Sequence, residues 1–136
     1  MTERLYVNPP AWATPPGYTH AVESRGGRLL FVSGQVPVDA AGKLVGGADF
    51  KAQARQAFDN LGTVLAASGA SYADVVKLTY FVVGLDGERL LALREVRDAV
   101  LPPERRPASS LLGVAALFRP DVLVEIEAVA ELPPSR

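Results

Sequence analysis

Apolar residues recur at helical spacing from Phe50 onward. Phe50, Ala54, Ala57, Phe58, Leu61, Val64 and Leu65 fall on one stripe, and Lys51, Arg55, Gln56 and Asp59 take the other side. The pattern predicts a helix over 50–68, with Asp49 as its cap and Gly69 closing it in left-handed backbone. A second helix is expected over 88–101, with Leu90, Leu93, Val96 and Val100 on its stripe and Pro102–Pro103 as its stop.

The strand signals lie around these helices. Residues 75–85 form an apolar run rich in Val, Thr, Tyr and Phe, which reads as a central strand. Residues 110–117 and 123–131 are two further strands, and 35–38 is a short one edged by Pro37. Residues 19–23 and 29–33 flank Gly26–Gly27, a spacing that predicts a β-hairpin. Strand, helix, strand in this order implies a right-handed crossover. The expected fold is α/β (α+β): a mixed sheet with two helices packed on one face. Several strands are apolar on both faces, and two helices cannot cover both. Burial of the second face against another copy of the chain is the expected remedy.

The whole of 1–136 is expected to form one domain, with a proline-rich extended arm at 1–17 and a tail at 132–136. The formal net charge is −1, so no basic footprint points to nucleic acid. There is no cysteine, which removes disulfides, thiolate metal sites and cysteine nucleophiles. No apolar run approaches the ~20 residues of a membrane span. The opening residues show no apolar stretch after a basic start, so the cytoplasm is the expected compartment.

The candidate chemistry is sparse. His20 is the only histidine, so a histidine metal pair or a relay has no second member. Ser33, Ser109 and Ser110 lack the Gly-x-Ser-x-Gly elbow of a hydrolase nucleophile. Glu125 and Glu127 are more informative. Two apart in a strand, they share one face, while Val124, Ile126 and Ala128 point to the core. Neighbouring carboxylates repel, which raises the pKa of one and suits it to general acid or base work. Arg94, Arg105 and Arg106 are candidates to bind a carboxylate bidentately. For each of these residues, a solvated surface position is the competing reading.

The segments Pro16-Gly17-Tyr18, Leu30 through Pro37, Gln53 through Leu61, Asp74 through Val82, Arg106 through Leu117 and Val124 through Ala130 occur in one order along nearly the whole chain. Together they resemble the RidA (YjgF) family of reactive-intermediate deaminases, and the Ser33-Gly34-Gln35-Val36-Pro37 segment is the most specific of them. The resemblance implies a chorismate-mutase-like fold and a barrel-shaped homotrimer with clefts between subunits. It implies hydrolysis of enamines and imines to the carbonyl compound and ammonia, without a cofactor. It also implies Glu125 as the group that positions or activates water. Tyr18 and the Ser33, Gly34 and Gln35 segment would line the cleft.

One position departs from the family. Ser109 stands where the family carries the arginine that clamps the substrate carboxylate, and Gly113 replaces a larger residue nearby. A serine offers one neutral hydrogen bond in place of a charged fork. Ser109, Arg94 and Arg106 are therefore expected at the substrate end of the cleft. Three readings stay open: another arginine replaces the clamp and imine hydrolysis persists, the protein hydrolyses a different substrate, or the trimer binds a small ligand without turning it over.

Overall fold

The computed structural model describes residues 4–134; Met1–Glu3 of the arm and Ser135–Arg136 of the tail lie outside the described residues. Among the described residues, six strands and two α-helices follow in order: β1 (Leu5–Val7), β2 (Ala21–Glu23), β3 (Arg28–Gln35), α1 (Phe50–Ala67), β4 (Val75–Val83), α2 (Gly87–Val100), β5 (Ala108–Val114) and β6 (Val124–Leu132), with a 3₁₀ turn at Tyr72–Asp74 before β4. The main sheet has the strand order β3-β6-β4-β5. β6 runs antiparallel to both β3 and β4, and β4 pairs with β5 in parallel.

Helix α1 forms as its pattern dictates. The Asp49 carboxylate accepts from the Ala52 amide at 3.2 Å, and Gly69 takes a φ of +77° just past the C-terminus. Its apolar stripe packs against Leu78, Tyr80, Val82, Val124, Ile126, Ala128 and Ala130 of the sheet. Each large apolar side chain fully buried there contributes about 1.5–3 kcal/mol. α2 is capped by Asp86, which accepts from the Arg89 amide at 2.8 Å, and adds Leu93 and Val96 to the same core. The two helices thus cover one face of a mixed sheet.

The predicted hairpin does not form. β2 pairs with β1 in a separate two-stranded sheet, and β3 pairs with β6 from Arg28↔Leu132 onward. The Gly26–Gly27 turn is held by a side chain instead of a strand partner. The buried Glu131 carboxylate accepts from the Arg25 amide at 3.0 Å, the Gly27 amide at 3.2 Å and the Ser24 hydroxyl. The short strand expected at 35–38 is the end of β3 plus an isolated bridge between Val38 and Leu44. β5 begins two residues earlier than expected, so Ser109 lies within the strand.

The second sheet face is open. It carries Leu29, Phe31, Phe81, Leu112 and Val129 beside Lys77, Glu125 and Glu127. Phe31 is 74% exposed and Leu29 52%. An apolar stripe of this kind on a sheet is a feature of contact surfaces.

Candidate functional site

Two groups of candidate residues emerge, on opposite faces of the sheet. The first centres on Glu125. The register between β3 and β6 shifts between Val32 and Gln35, so Ser33–Gly34 forms a bulge. The Glu125 carboxylate lies over that bulge: a Cβ on Gly34 would come within 2.6 Å of its carboxyl carbon. The glycine is needed for this close approach. Gln35 folds back, its Nε2 donating to the Ser33 carbonyl at 3.0 Å. Glu125 pairs across with Phe81, and Glu127 with Thr79, so both carboxylates face the open side as their spacing predicts. Val124, Ile126 and Ala128 are buried on the other. Burial first, and the Glu127 charge second, raise the Glu125 pKa above the ordinary carboxylate value.

The second group surrounds a cavity of about 170 Å³ at the β5 edge of the sheet, on the helix side. Ser109 and Leu111 reach it from β5, aligned with Leu78 and Tyr80 of β4. Leu90, Leu93, Arg94 and Arg97 line it from one side of α2, three and four residues apart. Pro16 and Tyr18 close it from the arm. The arm is pinned there by Thr19, whose amide donates to the Pro107 carbonyl at 3.0 Å and whose hydroxyl donates to the Arg106 carbonyl at 2.6 Å.

Tyr18, Ser109 and Arg94 therefore come together, and Ser33, Gly34, Gln35 and Glu125 come together. The two sets do not meet within one chain. Arg106 does not enter the cavity; its Nη1 donates to Asp98 at 3.2 Å. Arg105 contributes no lining residue either. His20 is an exposed aromatic neighbour, edge-on to Trp12 and Tyr18. Among the described residues, no group of three or more His, Cys, Asp or Glu is placed to hold a metal ion. Among them too, no helix is long and apolar enough to cross a membrane.

Two cavity residues were not anticipated from the sequence. Arg97 packs its guanidinium against Gly17, whose φ of +77° and missing side chain admit it; a Cβ there would lie 2.9 Å from Nε. Tyr80 is buried, and its hydroxyl has no hydrogen-bond partner among the described residues. The available signals were the i, i+3 spacing from Arg94 to Arg97 and a tyrosine at a core position of β4.

These features define a small α+β protein with a cationic, partly apolar cavity at a sheet edge and a perturbed carboxylate on the opposite sheet face. The family described as Endoribonuclease L-PSP matches residues 10–132. The chain is 37% identical over 106 residues to the 2-iminobutanoate/2-iminopropanoate deaminase of Escherichia coli, covering 76% of this chain and 80% of that protein. It is 37% identical over 114 residues to a RutC family protein of Pyrococcus horikoshii, covering 83% of this chain and 85% of that one. Among solved structures, YyfB of Yersinia pestis, a protein of unknown function in the conserved Rid family, superposes with a TM-score of 0.85 at 41% identity, covering 95% and 98% of the two chains. The protein belongs to the RidA (YjgF) family.

Proposed function

We propose that this protein hydrolyses reactive enamine or imine intermediates to the carbonyl compound and ammonia, in a cleft formed between subunits of a homotrimer. The observation that carries the reading is the Glu125 carboxylate seated over Gly34 with a raised pKa. A carboxylate whose pKa is raised is a stronger base toward water than an ordinary one. The water oxygen bonds to the imine carbon as its proton passes to Glu125. Glu125 returns that proton to nitrogen, which gives a carbinolamine. Glu125 then relays the hydroxyl proton of the carbinolamine to its amino nitrogen, the C–N bond breaks as the C=O bond forms, and ammonia and the carbonyl compound leave. The deaminase name of the Escherichia coli relative supports the same reaction class.

The trimer is part of the proposal. The open sheet face supplies both the apolar stripe that association would bury and the Glu125 carboxylate. A neighbouring copy would bring its β5-edge cavity, with Tyr18, Ser109 and Arg94, to that carboxylate. The ligand is a small molecule, and no cofactor takes part in the reaction as written.

Ser109 favours a second reading, in which the trimer binds a small ligand without turning it over, because a serine does not supply the charge of a clamp arginine. One assay separates the two. 2-Iminopropanoate is generated from alanine by an amino-acid oxidase and trapped with semicarbazide. The hydrolase reading expects catalytic amounts of the protein to suppress trapping, and expects Glu125→Gln to abolish that effect. Unchanged trapping at high protein concentration would overturn hydrolysis of this imine and favour the binding reading.

A further inference from the structure

The cavity between α2 and β5 contains more polar chemistry than its packing requires. Arg97 keeps only 12% of its side chain exposed, held by Asp98, which accepts from its Nε at 2.9 Å. Asp98 also pairs with Arg106, so one carboxylate faces two guanidinium groups. The cationic excess lies beside Tyr80. Burial pushes the Tyr80 phenol up, against the pull of the Arg97 and Arg106 charges, so its hydroxyl remains protonated and free to donate. A buried donor without an acceptor costs about 1–3 kcal/mol. An anion in the cavity would supply the acceptor that the described residues do not.

The remaining lining is apolar. Leu90, Leu93 and Leu111 form the wall around the polar end. Ser109 is short and leaves the path to Arg97 and Tyr80 open, which a long side chain at that position would fill. Arg97 is also pre-positioned. Gly17 admits its guanidinium, with Nη2 packed nearest the glycine, and Asp98 accepts from Nε, which leaves the Nη1 side of the fork for a ligand.

We propose that Arg97 and the Tyr80 hydroxyl form the carboxylate anchor of this site, with the aliphatic tail of a branched 2-imino acid held by Leu90, Leu93 and Leu111. The proposal rests on the hydrolase reading for its choice of substrate. It assigns the anchor to residues outside the set expected from the sequence. It also makes Ser109 the residue that gives access to that anchor.

The test is titration calorimetry of the full-length protein with 4-methyl-2-oxopentanoate, the stable keto product of such a substrate, and with its uncharged amide. The expected result is saturable binding of the acid and at least tenfold weaker binding of the amide. Arg97→Gln should weaken acid binding at least tenfold, and Arg97→Lys should restore part of it. Tyr80→Phe should weaken acid binding several-fold while leaving the melting temperature equal to or above that of the wild type. A merely structural Tyr80 would instead lower the melting temperature and leave affinity unchanged. No binding of the acid, or equal binding by wild type and Arg97→Gln, would overturn the anchor. Failure of the two proposals is distinguishable. Arg97-dependent binding without suppression of semicarbazide trapping leaves the anchor and removes the hydrolase. Suppression that survives Arg97→Gln leaves the hydrolase and removes the anchor.

Discussion

Glu125 and Gly34 are joined by a steric relationship: the carboxylate of one occupies the space where a side chain on the other would begin. The bulge at Ser33–Gly34 creates that space in the middle of the β3–β6 ladder. Bulges are common beside active sites because they re-aim a neighbouring side chain. Gly34→Ala should therefore displace the Glu125 carboxylate. The colliding atoms are at the end of a flexible side chain, so the fold should tolerate the change. Trapping assays should show imine turnover reduced by about tenfold or more, since small misplacements of a reacting group are costly. The melting temperature should stay near that of the wild type.

Glu127 tunes Glu125 through charge. Removing its negative charge favours the ionised form of Glu125, so Glu127→Gln should move the acidic limb of the pH–rate profile to lower pH. Stability responds in the opposite sense at Glu125 itself. Its folded pKa is raised, so its contribution to stability declines as pH rises from the unfolded carboxylate value through the folded one. Glu125→Gln should then melt at or above the wild-type temperature at pH 7. The advantage should disappear near pH 4.

Glu131 has a structural role. Its carboxylate is fully buried and ties Arg4, Ser24 and the Arg25–Gly27 turn to the end of β6. Burial pushes its pKa up, but hydrogen bonds from Ser24, Gly27, Arg4 and Arg25 outweigh that and hold it below the ordinary value. A depressed pKa gives stability above the unfolded carboxylate value, and that stability is lost as pH falls through the folded one. Glu131→Gln should destabilise the protein by about 1–3 kcal/mol at pH 7, because the buried Arg4 loses one of its two carboxylate partners and keeps only Asp74, at 3.2 Å. The loss should shrink in acid. Denaturant melts at pH 7 and pH 4 measure both effects.

The open sheet face makes its own prediction. Phe31→Glu places a charge at the centre of the apolar stripe without touching the core on the helix side. Light scattering should give a particle three times the chain mass for wild type and the chain mass for the variant. Imine turnover should be lost with assembly.

Much of the fold was legible because local rules and tertiary packing agree there. The α1 stripe, its Asp49 cap and the Gly69 stop all describe the same helix. The alternation around Glu125 and Glu127 correctly placed both on one face. The hairpin failed because Gly26–Gly27 carries a turn signal but no information about its partner. The amides of that turn are satisfied by Glu131, more than 100 residues away. Gln53 was read as part of a matching helix segment, yet it is fully buried and bonds to Gly47, Asp121 and Leu123. Spacing likewise did not reveal that Ser109 and Glu125 lie on opposite sheet faces, since that depends on the parallel register of β4 and β5. Arg106 was a candidate because of its distance along the chain, and Asp98 holds it out of the cavity.

The proposed cleft would join the two faces of the chain where two copies meet, and complementation tests this directly. Glu125→Gln and Arg97→Gln chains, carrying different tags, are co-expressed, and mixed trimers are isolated through both tags. Each variant alone should leave semicarbazide trapping unaffected or nearly so. Mixed trimers pair an intact Arg97 from one chain with an intact Glu125 from its neighbour. They should recover turnover to about a third of the wild-type rate, because a ring of head-to-tail contacts with either 2:1 composition contains one intact site out of its three. Mixed trimers as inactive as their parents would place Glu125 and Arg97 in the same half of the site, and would contradict a cleft shared between subunits.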